Sequence, residues 1–192
     1  MNKKLLILDL DETLIYATQQ QLAHEADFQF FSYHVYLRPH VREFITFCLE
    51  HFECAVWTSA SEDYAAIIVQ HLFGEDPPLK FVWARQRCTR VFDPEYQDFE
   101  WVKNLQKVKR RGYKLEQVIM LDDTPKKLRR NYGNLVRINM FEGNTEDREL
   151  QLAMSYLQEL KQADNIRAVE KRGWQKRFIE GQPEPRPGQG AL

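Results

Sequence analysis

With 192 residues the chain has room for one domain with a sizeable core, and its 43% apolar and 12% aromatic content describes a folded globule, not a disordered segment. A formal net charge of −1 gives no global reason to expect nucleic acid or an anionic membrane as partner. Cys48, Cys54 and Cys88 make no metal-ligand spacing, and they read as buried thiols of a reducing compartment.

The Lys3-Lys4 pair ahead of four apolar residues imitates a secretory leader. The apolar run ends at Asp9, however, short of the roughly 7–15 residues a leader needs. Leu5–Leu8 is therefore read as a buried parallel strand, no run is long enough to span a bilayer, and a cytoplasmic location is expected. Near-alternation of Phe28, Phe30, Tyr33, Val35 and Leu37 predicts a small antiparallel β-hairpin inserted after this strand, within about residues 16–38. Pro39 suits the first turn of a helix over Val41–His51. Apolar runs at 55–57, 81–83, 118–121 and 136–138 predict four more strands, with helical patterns at 63–72 and 100–111 between them. Apolar positions 150, 153, 154, 157 and 160 predict a helix over 146–160, capped by Thr145 or Asn144. The fold class is thus α/β: a doubly wound, mainly parallel sheet between helices, without a cap domain. Residues 1–180 form the expected single domain, and the Pro/Gly-rich stretch 181–192 an expected flexible tail.

Chemistry-bearing residues gather where predicted strands end, which is where open α/β sheets place their sites. Asp9 and Asp11 follow the first strand, and two aspartates so spaced can act on one group, one as nucleophile and one as proton carrier. An acidic turn is the plainer reading of that stretch alone. Thr58 and Ser59 end the second run with hydroxyls able to bind a phosphoryl oxygen, or to cap the next helix. Asp122 and Asp123 end the strand at 118–121, and Lys103, on the predicted helix before it, can reach the same crevice.

Four stretches in this order resemble the motifs of the haloacid dehalogenase superfamily: Leu8-Asp9-Leu10-Asp11-Glu12-Thr13-Leu14, Trp57-Thr58-Ser59-Ala60, Trp101-Val102-Lys103-Asn104-Leu105 and Leu121-Asp122-Asp123-Thr124-Pro125. Leu37-Arg38-Pro39-His40-Val41-Arg42-Glu43-Phe44 and the closing Asp164-Asn165-Ile166-Arg167 extend the likeness over residues 3 to about 170. The chain is similar there to the branch that dephosphorylates the C-terminal tail of RNA polymerase II. That resemblance implies a phosphoric monoester hydrolase with Asp9 as nucleophile, forming an aspartyl-phosphate, and Asp11 as acid and then base. It implies Mg²⁺ on the side chains of Asp9 and Asp123 and the backbone carbonyl of Asp11, with Asp122 supporting Lys103 or the ion's water shell. Thr58 and Lys103 would act on the phosphoryl group. Thr13, Ser59 and Arg85 would meet the substrate, with Arg87 a near competitor for the place of Arg85. The branch often carries Asn where Asp123 stands; either supplies an oxygen, but the extra charge leaves metal affinity open.

Without a cap the cleft is expected to be open, favouring phosphoserine or phosphothreonine on a protein. Phe28, Phe30, Phe31, Tyr33 and Tyr36 are then candidates for a peptide groove, against the reading that one face of the hairpin packs on the core. The basic clusters 107–111 and 126–130 read as solvated helix faces, with steering of an anionic substrate toward the cleft the alternative for 126–130, which follows Asp122-Asp123 directly. Nucleic-acid ends or a small phosphate ester are the alternative substrates, and a catalytically silent binding module the alternative class.

Overall fold

Leu5–Leu8, all four side chains buried, is the central strand β1 of a computed structural model that describes residues 3–95 and 97–179. The other elements follow in chain order: β2 (Ile15–Thr18), β3 (Phe28–Phe30), β4 (Tyr33–Leu37), α1 (Val41–His51), β5 (Glu53–Trp57), α2 (Glu62–Phe73), β6 (Leu79–Trp83), β7 (Thr89–Asp93), β8 (Asp98–Val102), α3 (Gln106–Lys109), β9 (Val118–Asp122), β10 (Leu135–Arg137), α4 (Glu149–Leu160) and α5 (Lys176–Ile179). The main sheet has the order β10-β9-β1-β5-β6, every pairing parallel. Chain order runs outward from β1 in both directions, so β1 lies at the switch point of a doubly wound sheet.

Alternation along β1 supplies both layers. Leu6 and Leu8 pack with α1, α2 and α4, where Phe44, Ile68 and Leu157 are fully buried. Leu5 and Ile7 face the other side, against Trp57, Trp83, Val108, Leu115 and Leu128. Burial on both faces is why the strands read as unbroken apolar runs. All five were expected, and each lies within a residue or two of its predicted span.

Three expectations need correction. The helix predicted over 100–111 is instead strand β8, antiparallel to β7 with Val91 opposite Glu100 and Phe92 opposite Phe99, followed by the short α3. Trp101, Leu105 and Val108 have helical spacing, but Phe99 and Trp101 share one face of a strand with their β7 partners Phe92 and Arg90, and cross-strand pairing prevails. The expected hairpin is present as the β3–β4 pair, and β2 joins it to make a three-stranded antiparallel sheet of order β2-β4-β3. Pro39 precedes the first turn, because His40 takes the N-cap position with φ 66°, and α4 starts at Glu149, after both proposed caps. The N–H of Glu149 donates to the Asp147 carboxylate at 3.0 Å, so Asp147 does the work expected of Thr145 or Asn144.

Asp147 also receives Arg38. Both carboxylate oxygens accept from this buried guanidinium at 2.8 Å, and Arg38 Nη1 donates to the carbonyl of Thr13 at 3.0 Å. One arginine thereby ties the entry of α4 to the loop that follows β1. Among the described residues no helix is long and apolar enough to cross a membrane, and the tail expected over 181–192 lies outside them.

Candidate active site

The backbone of Asp9 continues the sheet, its N–H donating to Leu121 at 3.0 Å, and so carries its buried carboxylate to the C-terminal edge. Parallel strands β1 and β9 end side by side, which brings Asp122 and Asp123 to the same edge. Lys103 arrives from elsewhere than expected: it follows β8 directly and is not on a helix. Its fully buried ammonium lies 2.8 Å from Asp9 Oδ1 and 2.6 Å from Asp122 Oδ2.

Lys127 completes the cluster and was not foreseen. Its Nζ is 3.0 Å from Asp9 Oδ2, 3.7 Å from Asp123 Oδ1 and 3.9 Å from Asp122 Oδ1. The solvated-face reading of 126–130 therefore fails for this lysine, whereas Lys126 and Arg129 do pair at the surface with Glu100. The sequence held one clue, its i,i+4 spacing from Asp123, and the partners that bury it come from another strand.

The electrostatics follow from these contacts. Burial alone would push the Asp9 carboxyl up, but Lys103 and then Lys127 outweigh it and hold the group down at about 2. Burial and then the charge of Asp9 lift Asp122 to about 7, against the pull of both lysines. Asp11 is raised as well, chiefly by burial with the charge of Asp9 adding to it. A hydrogen bond donated by Tyr64 to Asp11 Oδ1 at 2.5 Å works the other way. The other oxygen, Oδ2, accepts from Thr58 Oγ1 at 3.4 Å. A carboxyl pulled down and a carboxyl pushed up thus stand two residues apart, held by different neighbours.

Glu12 sits between them in sequence with φ 54°, the left-handed pinch of the turn in which Leu14 N–H reaches back to Leu10. Thr58 Oγ1 also accepts from Ala60 N–H at 3.0 Å, which fixes the start of the β5–α2 loop. Arg85 Nε donates to the carbonyl of Ser59 at 2.7 Å and borders the cleft, while the Arg87 guanidinium lies over the Trp83 ring at 4.5 Å. Of the two arginines, Arg85 is the one beside the cleft. Thr13 is fully buried below it, its hydroxyl without a hydrogen-bond partner.

A cavity of about 480 Å³ opens from Asp11 between Phe30, Phe31, Tyr33, Tyr64 and Arg85. The other two aromatics are structural: Phe28 stacks on His71 at 3.8 Å, and the buried Tyr36 accepts a hydrogen bond from Leu22 N–H. A smaller cavity of about 210 Å³ lies on the far side of Ser59, walled by Phe99, Glu100, Trp101 and Lys127. A larger one, about 690 Å³, sits by β10 and Trp174 and contains none of the groups described above. Tyr64 had no signal in the sequence: its role depends on where α2 packs.

Oxygens of Asp9, Asp122 and Asp123 lie within 4.8 Å of one another. Asp123 Oδ2 accepts from the Thr124 hydroxyl at 2.7 Å, but Oδ1 is buried without a hydrogen-bond partner. Such an orphaned oxygen in an oxygen-only set suits a small hard divalent ion. The residues present fit a metal.

The model of the NLI interacting factor-like phosphatase family matches residues 4–167. A CTD phosphatase-like protein of Invertebrate iridescent virus 3 is 27% identical over 161 residues, 72% of this chain and 84% of that protein. The human carboxy-terminal domain RNA polymerase II polypeptide A small phosphatase 1 is 25% identical over 175 residues, 88% of this chain. This chain spans 63% of the human protein's length and 28% of that of CTD small phosphatase-like protein 2 of Dictyostelium discoideum. The solved structure of Fcp1, an essential RNA polymerase II CTD phosphatase, superposes with a TM-score of 0.53 at 18% identity, over 95% of this chain and 56% of that one. That likeness establishes the fold; the match across residues 4–167 establishes the kinship. The chain belongs to the NLI interacting factor-like phosphatases, on a haloacid dehalogenase-like fold.

Proposed function

We propose that this chain is a Mg²⁺-dependent phosphatase that hydrolyses phosphoserine or phosphothreonine on proteins through an aspartyl-phosphate. The observation that carries the reading is the meeting of two aspartates at the open edge of the sheet, Asp9 bonded to the ammonium groups of Lys103 and Lys127 and Asp11 to the hydroxyls of Tyr64 and Thr58. An Asp9 oxygen attacks phosphorus while the bond to the leaving oxygen breaks, and Asp11 gives its proton to the departing alkoxide. Asp11 then takes a proton from water, whose oxygen attacks phosphorus and releases Asp9 and inorganic phosphate. Lys103 steadies the nucleophile throughout, and the Thr58 hydroxyl, which otherwise meets Asp11 at 3.4 Å, donates to a phosphoryl oxygen. Mg²⁺, held by the side chains of Asp9 and Asp123 and the backbone carbonyl of Asp11, would offset the charge that builds up when two anions meet.

Two observations favour a protein substrate. The cleft is bordered by loops and by the aromatic side chains Phe30, Phe31 and Tyr33, and the relatives' names describe phosphatases of a polymerase tail. Three free, buried cysteines are consistent with a reducing, cytoplasmic setting. The test is phosphate release from an aryl phosphate and then from phosphopeptides, by wild type and Asp9→Asn, with Mg²⁺ and with chelator. Turnover should need the metal and fall about 10⁴-fold or more in the variant. Comparable turnover by folded Asp9→Asn would overturn the nucleophile, and preference for 3′-phosphorylated oligonucleotides would overturn the substrate class.

A further inference from the structure

We propose that Lys127 is a tethered cation: it fills the Asp9–Asp122–Asp123 carboxylate cluster and leaves it when a divalent ion binds, thereby setting the ion's apparent affinity. The inference rests on the reading that this cluster holds a divalent ion. Its basis is that two cations claim one place. The ammonium of Lys127 lies within 3.9 Å of all three carboxylates that could ligate a metal. It takes up Asp9 Oδ2, the oxygen that Lys103 leaves available. A divalent ion bound to Asp9 and Asp123 would stand a few ångströms from this ammonium in a poorly solvated site, where like charges repel strongly.

One of the two lysines can move. Lys103 is completely enclosed, held by Asp9 and Asp122, and has nowhere to go. Lys127 is 18% exposed in its side chain and forms one wall of the adjacent cavity of about 210 Å³. Glu100, paired with Lys126 and Arg129, lines that same cavity, which opens a path for the displaced ammonium towards solvent. The backbone of Lys127 would stay in place, its N–H donating to Thr124 at 3.1 Å and its carbonyl accepting from Lys103 at 2.7 Å. Only the flexible four-carbon stem has to swing. A site closed by its own side chain binds with an affinity reduced by the fraction of time it is open. Lys127 therefore acts as a competitor built into the chain, and with Lys103 it offsets the negative charge of the buried cluster until the ion arrives.

The experiment is calorimetric titration of Mg²⁺ into metal-stripped full-length wild type, Lys127→Met and Lys126→Met. The last removes the same charge from the neighbouring residue without vacating the cluster. Lys127→Met should bind Mg²⁺ about tenfold more tightly, and Lys126→Met within about twofold of wild type, as a surface charge would. In wild type, acylation of Lys127 by a small amine reagent, followed by mass spectrometry, should rise on saturation with Mg²⁺. Equal or weaker binding by Lys127→Met, or Lys127 labelling that Mg²⁺ leaves unchanged, overturns the proposal while the metal site stands. Failure of folded wild type and variant alike to bind Mg²⁺ overturns the metal reading and this inference with it. If Lys127→Met does not fold, the labelling of wild type decides alone.

Discussion

Replacing Lys103 with methionine keeps most of its apolar stem and deletes the ammonium from between Asp9 and Asp122, at 2.8 and 2.6 Å. Removing one member of a buried ion pair costs about 3–5 kcal/mol, because the remaining charge has no water. Here the loss should depend on pH. Asp122 is lifted to about 7 in the folded state from an ordinary value of 3.8. Between those values the native protein keeps a proton that the unfolded chain has released, so stability falls as pH rises. In wild type that fall ends near 7. Without Lys103 the folded value moves higher and the fall continues, at about 1.4 kcal/mol for each further pH unit. Urea unfolding in the presence of chelator, at about pH 6 and about pH 8.5, measures the difference between wild type and variant. We expect a loss of about 3–5 kcal/mol at the higher pH and about 1–3 kcal/mol at the lower, where Asp122 can take up a proton. An equal loss at both, or a loss under about 0.5 kcal/mol at high pH, would show that Lys103 does not neutralise buried carboxylates.

Two further outcomes follow from the same geometry. Arg38→Met strips two hydrogen bonds from Asp147 and one from the carbonyl of Thr13, and should lower the melting temperature by about 5–15 °C in a thermal scan; a shift below about 2 °C would deny it a structural role. Tyr64→Phe removes the hydrogen bond that orients the Asp11 carboxyl and, by this loss of orientation, should slow an alkyl phosphate, which needs its leaving oxygen protonated, about tenfold more than an aryl phosphate, which does not. Equal slowing of both substrates would mean that Tyr64 supports the fold and not the proton donor.

How legible this protein was in its sequence depended on whether the deciding contacts were local. The parallel strands could be read because burial on both faces leaves no polar interruption in Leu5–Leu8 or Val118–Asp122. Helix α1 was delimited by its own apolar spacing. Asp9, Asp122, Asp123 and Thr58 could be located as strand ends, and the structure brings them to one edge. Lys103 reaches the expected crevice from an unexpected element, because the Phe92–Phe99 pairing that makes β8 a strand is cross-strand and not visible in a helical window. Lys127 looked like one member of a basic run until three carboxylates from two strands closed around it. The role of Asp147 was hidden for the same reason: its partner Arg38 lies 109 positions away.

The β7–β8 hairpin separates two jobs that many sites combine. Its base is anchored, with Thr89 opposite Val102 and the next residue, Lys103, bonded through its backbone N–H to Lys127. Beyond the base come Trp101, opposite Arg90, and further out the Phe92–Phe99 pair, and Phe99 and Trp101 form a wall of the cavity beside Lys127. Lengthening, shortening or recolouring the outer ribbon would redraw what the cleft admits while the ammonium on Asp9 stays put. For an evolving or engineered lineage this makes the ribbon an exchangeable jaw on a fixed hinge pin, where new substrate preference can be tried without risk to the bond-breaking step.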